Sequence, residues 1–92
     1  MIRHNILPIS NTAATSLDIA EIVKSSFTLV VQNINSDGYI YLGNPGVTSS
    51  NFGFRLSPNQ AFTIEMPSSQ NLYAIASDSG LSVSVMEIYR AI

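Results

Sequence analysis

The chain has 92 residues, no cysteine and a net charge of −2, with four basic side chains, Arg3, Lys24, Arg55 and Arg90. That length makes one domain, the missing thiols exclude disulfides and thiolate zinc sites, and four scattered cations exclude nucleic-acid binding driven by phosphate neutralisation. Charged residues are 11% of the chain against 46% hydrophobic, a neutral balance that suits packing against copies of itself or a larger partner better than life as a soluble monomer.

The apolar run at the N-terminus is too short for a signal-peptide core and is interrupted by Pro8. No run reaches the apolar length that spans a bilayer, so a soluble protein is expected.

Residues 2–9 carry Ile2, Ile6, Leu7 and Ile9 around Pro8. Proline removes a ladder donor, so this segment is either an edge strand of its own sheet or an extended arm that docks on a neighbouring molecule. Residues 10–16, SNTAATS, are small and polar and read as a tether. On the arm reading, 1–16 is arm and tether and 17–92 a single β-domain. Residues 17–24, LDIAEIVK, fit both periods; a strand kinked near Glu21 is favoured, because a helix of this length is marginal.

Residues 27–33, FTLVVQN, are the clearest strand, with Phe27, Leu29 and Val31 on one face and Thr28, Val30 and Gln32 on the other. Residues 35–38 form a turn that ends with Gly38 at positive φ, and 39–42 return as the paired strand. The GNPG sequence at 43–46 and the polar TSSN at 48–51 describe a shaped loop between strands. Residues 54–56 lead into a turn at 57–60, expected to be type I with Pro58 and Asn59 at its centre. In 61–66, AFTIEM, the residues Phe62, Ile64 and Met66 alternate with Thr63 and Glu65, so one side is buried and the other wet.

Residues 72–77 and 81–90 make the last hairpin around Gly80, a short loop ending in glycine. Leu81, Val83 and Val85 alternate with Ser82 and Ser84, after which Met86 and Ile88 place apolar residues on the polar face. That strand is either covered on both faces there or bulged. Turn signals at this spacing predict an all-β fold, a small antiparallel β-sandwich or jelly-roll-like barrel with an extended N-terminal arm.

Reactive groups do not gather in the sequence. His4 is the single histidine and would be alone as a metal ligand. Serines are many, but no nucleophile-elbow motif holds one. The acids Asp18, Glu21, Asp37, Glu65, Asp78 and Glu87 are spread singly, and 43–46 lacks the spacing, lysine and helix of a phosphate loop. A non-enzymatic chain with no cofactor and no metal is expected. Tyr39 and Tyr41 share a strand face that Tyr73 and Tyr89 could join; the rings either stack on a glycan or fill the sandwich and its subunit contacts.

Four motifs, Gln32-Asn33, Tyr41-Leu42-Gly43, Leu56-Ser57-Pro58 and Leu72-Tyr73-Ala74, lie in a run that resembles small β-sandwich structural proteins of tailed bacteriophages. These include capsid decoration (cement) proteins, head-fibre bases and tail or neck accessories. The resemblance spans residues 27–88 and rests on strand ends and turns; it carries no catalytic residue. It implies a capsid decoration protein made in the host cytoplasm and placed on the capsid surface of the virion. Its partners would be the major capsid protein and its own copies, with a trimer as the expected oligomer, and neither nucleic acid nor membrane. The alternative is a tail, neck or fibre accessory that binds a host glycan or receptor. On the first reading Ile2, Ile6, Leu7, Ile9, Met86 and Ile88 make the capsid or subunit contact; on the second, Tyr39 and Tyr41 stack on sugar.

Overall fold

A period of two in side-chain burial runs through the chain and commits it to strands. The structure, a computed structural model, describes residues 2–17, 26–67 and 70–89. Its strands are β1 (Ile2–Ile9), β2 (Thr15–Ser16), β3 (Phe27–Asn33), β4 (Ile40–Gly43), β5 (Phe54–Leu56), β6 (Ala61–Met66), β7 (Tyr73–Ala76) and β8 (Leu81–Tyr89). Most of the expectation for 17–24 lies outside the described residues; Leu17 itself is buried.

Two antiparallel four-stranded sheets pack face to face, one ordered β1-β8-β3-β6 (sheet A) and the other β2-β7-β4-β5 (sheet B). The pairing is nested: β1 with β8, β2 with β7, β3 with β6 and β4 with β5. The chain is thus one long hairpin, bent back at the loop between β4 and β5 and rolled until β8 meets β3 and β7 meets β4. This is the jelly-roll arrangement.

The core lies between the sheets. Phe27, Leu29 and Val31 of β3 and Val83 and Val85 of β8 face Ile40 and Leu42 of β4, Leu56 of β5 and the small Ala74 and Ala76 of β7. Stacked Phe54 and Phe62 rings, 4.6 Å apart, close the side where β5 turns into β6. On the other side the Ala76 N–H donates to the Ser10 carbonyl at 2.9 Å, joining the sheets where the chain leaves β1.

Two polar residues, Asn33 and Glu87, are as buried as this apolar layer. Asn33, at the end of β3, is 0% exposed. Its Nδ2 donates to the carbonyls of Gly38 (3.1 Å) and Leu56 (3.0 Å). Its Oδ1 accepts from the Asn35 backbone N–H and Nδ2. Asn35 in turn donates through Nδ2 to the Ser82 carbonyl and accepts the Ser82 N–H. The Asn33 backbone is bound as well, its N–H to Gln60 and its carbonyl to the Asn59 N–H.

The N-terminal segment takes the edge-strand alternative. Ile2 through Ile9 pair residue by residue with Ile88 through Leu81, so residues 2–9 are a strand of this sandwich, and the free-arm expectation is corrected. Pro8 is tolerated because β1 is outermost. The Ile6 N–H, of the same parity, turns to its neighbour Asn5 Oδ1 at 2.9 Å, which blunts the edge.

Further expectations change. Residues 39–42 do not pair with 27–33, nor 72–77 with 81–90: β3 and β8 lie in sheet A and β4 and β7 in sheet B, so each of these turns carries the chain from one sheet to the other. Asn59 has φ of 66° behind Pro58, and the Gln60 N–H donates to the Ser57 carbonyl, so the turn is type II and not type I. The last strand holds an unbroken register with both neighbours, so no bulge occurs at Met86. Instead Glu87 turns inward, 1% exposed, and accepts a hydrogen bond from the Tyr89 hydroxyl.

Three outcomes follow for stability. Asn33→Ala strands two buried carbonyls, and at about 1–3 kcal/mol per stranded group a chemical-denaturation midpoint should report a loss of roughly 2–6 kcal/mol. Deleting residues 1–9 removes buried Ile9 and one of the two partners of β8, so thermal melting should show a strongly lowered midpoint or no cooperative transition. Gly80 (φ 80°) has open space around it, whereas a Cβ at Gly38 (φ 91°) would meet Leu81 Cδ1 at 2.7 Å. Gly80→Ala should therefore cost about 1 kcal/mol from backbone conformation alone, and Gly38→Ala measurably more.

Candidate functional site

The outer faces of the two sheets differ in chemistry. On sheet A, alternation sends Ile2, His4 and Ile6 of β1 outward beside Ile88, Met86 and Ser84 of β8. Val30 of β3 follows Met86 in the same row, and Thr63 of β6 follows Val30. Ile2 and Ile6 are each 61% exposed. His4, Ile6, Val30, Gln32, Ala61 and Met86 line an open groove of about 710 Å³. Polar groups on this face are short or neutral, apart from His4 and from Glu65, whose carboxylate is held by Thr28 Oγ1 at 2.6 Å.

Four of the six expected contact residues, Ile2, Ile6, Met86 and Ile88, therefore meet on one surface, two from each end of the chain. Leu7 and Ile9 do not. In a strand they point the opposite way from Ile6 and Pro8; Leu7 packs against the core and Ile9 is 3% exposed. Both are removed from the contact set. Val30, Gln32 and Ala61 were missed as site residues. Val30 and Gln32 were already legible as the second face of β3, and the missing step was knowing that β8 lies beside it.

Sheet B carries an aromatic face. Tyr41 and Arg55 are cross-strand partners on β4 and β5. The Phe52 ring lies 4.8 Å from the Tyr41 ring, and Arg55 Cζ lies 4.8 Å above the Tyr39 ring. Phe52, Tyr41, Arg55 and Tyr39 thus form a continuous row. Tyr73 of β7 pairs with Gly43 on the same face, whereas Tyr89 belongs to the other sheet, with its ring 5.7 Å from Phe27. The loop at residues 44–51 closes the end of the row. Asn44 Oδ1 accepts the Gly46 N–H, Val47 is buried against Gly43, and Thr48 and Asn51 exchange backbone bonds at 2.8 and 3.2 Å. Phe52 and Arg55 were also missed; pairing 39–42 with 54–56 in register would have placed Arg55 beside the tyrosines.

The described carboxylates serve local structure. Asp37 accepts the Gly38 N–H, Asp78 accepts the Ser77 hydroxyl, and Glu87 accepts Tyr89. Asp18 and Glu21 lie outside the described residues. Among the described residues no three histidines or acids converge as metal ligands, and no helix is long and apolar enough to cross a membrane. In comparisons with known proteins, no family model matches the chain, and no curated protein matches it significantly.

Proposed function

We propose that the chain is a non-enzymatic structural protein of a tailed-phage virion, a decoration protein that seats on the major capsid shell as an oligomer through the outer face of sheet A. The observation that carries this reading is the apolar patch formed by exposed Ile2 and Ile6 with half-buried Met86, Ile88 and Val30, gathered from three neighbouring strands on one sheet face. A sheet face left to water normally carries charged or long polar side chains. Here an open groove sets Ile6, Val30, Ala61 and Met86 beside His4, Gln32 and Ser84, a mix of apolar and short or neutral polar groups that suits a protein contact. The resemblance of the strand-end motifs to phage decoration proteins supplies the identity of the partner. Jelly rolls are frequent in viral capsid domains, although a fold alone assigns no function.

The test uses sedimentation velocity at micromolar concentration, followed by co-sedimentation with purified capsids of the parent phage. The wild type should run as an oligomer, with a trimer expected, and should pellet with shells. Ile6→Asp places a charge on the exposed face without touching the core; it should leave the melting temperature within a few degrees while abolishing both behaviours. A monomeric wild type that stays in the supernatant would overturn the reading.

A further inference from the structure

We infer that the outer face of sheet B is a binding site for an acidic glycan, one whose pyranose rings carry carboxylates. The ring row supplies the surface. Tyr39 is 40% and Phe52 42% exposed, and Phe52 leans on Tyr41 at an interplanar angle of 47°. Rings held this way cost little entropy to use, because each is fixed by its neighbour before a ligand arrives. The apolar C–H face of a pyranose matches such a ring, and the hydroxyls around it match the short polar side chains of the adjoining loop.

Arg55 supplies the charge. Its guanidinium carbon lies 4.8 Å from the centroid of the Tyr39 ring, and no carboxylate among the described residues pairs with it. Asp37 and Asp78, in the turns near Tyr39, are already engaged by the Gly38 N–H and the Ser77 hydroxyl. A guanidinium held over a ring face keeps N–H donors available to a bidentate carboxylate. This cation stands on a chain whose net charge is −2, so attraction of an anion here is local and cannot arise from the overall field.

The same geometry disfavours an acidic peptide as the occupant. An extended peptide gains most of its affinity by adding to a sheet edge. The edges of sheet B are β2, of two residues, and β5, of three, too short to template one. A surface of side chains without an available edge suits a ligand that stacks.

This site lies on the opposite sheet from the proposed capsid contact and does not depend on it. Native electrophoresis through gels containing polygalacturonate tests it, with dextran as the neutral sugar and poly-L-glutamate as the acidic peptide. Polygalacturonate should retard the wild type, dextran much less and poly-L-glutamate little. Arg55→Gln and Phe52→Ala should each weaken the retardation at least threefold, and Arg55→Lys, which keeps the charge but loses the fork, should fall between. Ile6→Asp should be retarded as the wild type is, so failure of the capsid reading and failure of this one are distinguishable. No retardation by polygalacturonate, retardation unchanged in Arg55→Gln, or equal retardation by poly-L-glutamate would overturn the inference.

Discussion

Everything in this sandwich hangs on how one buried amide is satisfied. Asn33 ends β3 at the point where the chain leaves sheet A for sheet B, and its side chain reaches the carbonyl of Gly38, in the turn before β4, and that of Leu56, which ends β5. Through Asn35 it also holds Ser82 at the start of β8. A single residue thus joins β3, the approach to β4, the end of β5 and the start of β8, strands that come from distant parts of the sequence. A buried amide with all its hydrogen bonds made rigidifies a fold, whereas a partly satisfied one would cost more than an apolar side chain. This is why a polar residue is tolerated within a largely apolar layer. It also fixes register, because a one-residue slip of β3 would move the amide to the wrong face and strand every partner.

With register fixed, the rolled hairpin determines which side chains meet on the outside. Outer-face residues of β1 and β8 come from the two ends of the chain, and the roll places them beside β3. The apolar row on sheet A is a consequence of that closure. Sheet B obtains its aromatic row from a local source, the hairpin of β4 and β5 around the loop at 44–51. One face is assembled by topology and the other by a turn, and the two present different chemistry: neutral and apolar against aromatic and cationic.

Much of this was legible in the residues. The alternation of Phe27, Leu29 and Val31 and the AFTIEM strand formed where the pattern placed them, because half-buried strands declare their faces with a period of two; the hairpin expected around Gly80 did not, because its two strands lie in different sheets. The Gly38 and Gly80 conformations were legible for the same local reason. Long-range facts were not. Nothing in residues 2–9 shows that β8 will pair with them, so the choice between arm and edge strand, and with it the inward turn of Leu7 and Ile9, stayed open. The inward Glu87 was hidden because an acid at that position reads as solvent-facing until Tyr89 is seen to bond it. Asn59 followed its own tolerance of positive φ over the commoner turn type. The site was legible by halves: the six contact residues were named as two separate segments, and only pairing selects the four that share a surface.

The central claim is that sheet A makes the protein contact while sheet B remains exposed. Hydroxyl-radical footprinting of the protein, free at low concentration and then assembled on its shell, tests it most directly, because each face carries its own reactive reporter. Met86 lies in the groove of sheet A, and Tyr39 and Phe52 lie on the outside of sheet B. The account predicts that assembly protects Met86 from oxidation severalfold and leaves Tyr39 and Phe52 labelled as before. Protection of Tyr39 and Phe52 with Met86 unchanged would contradict it.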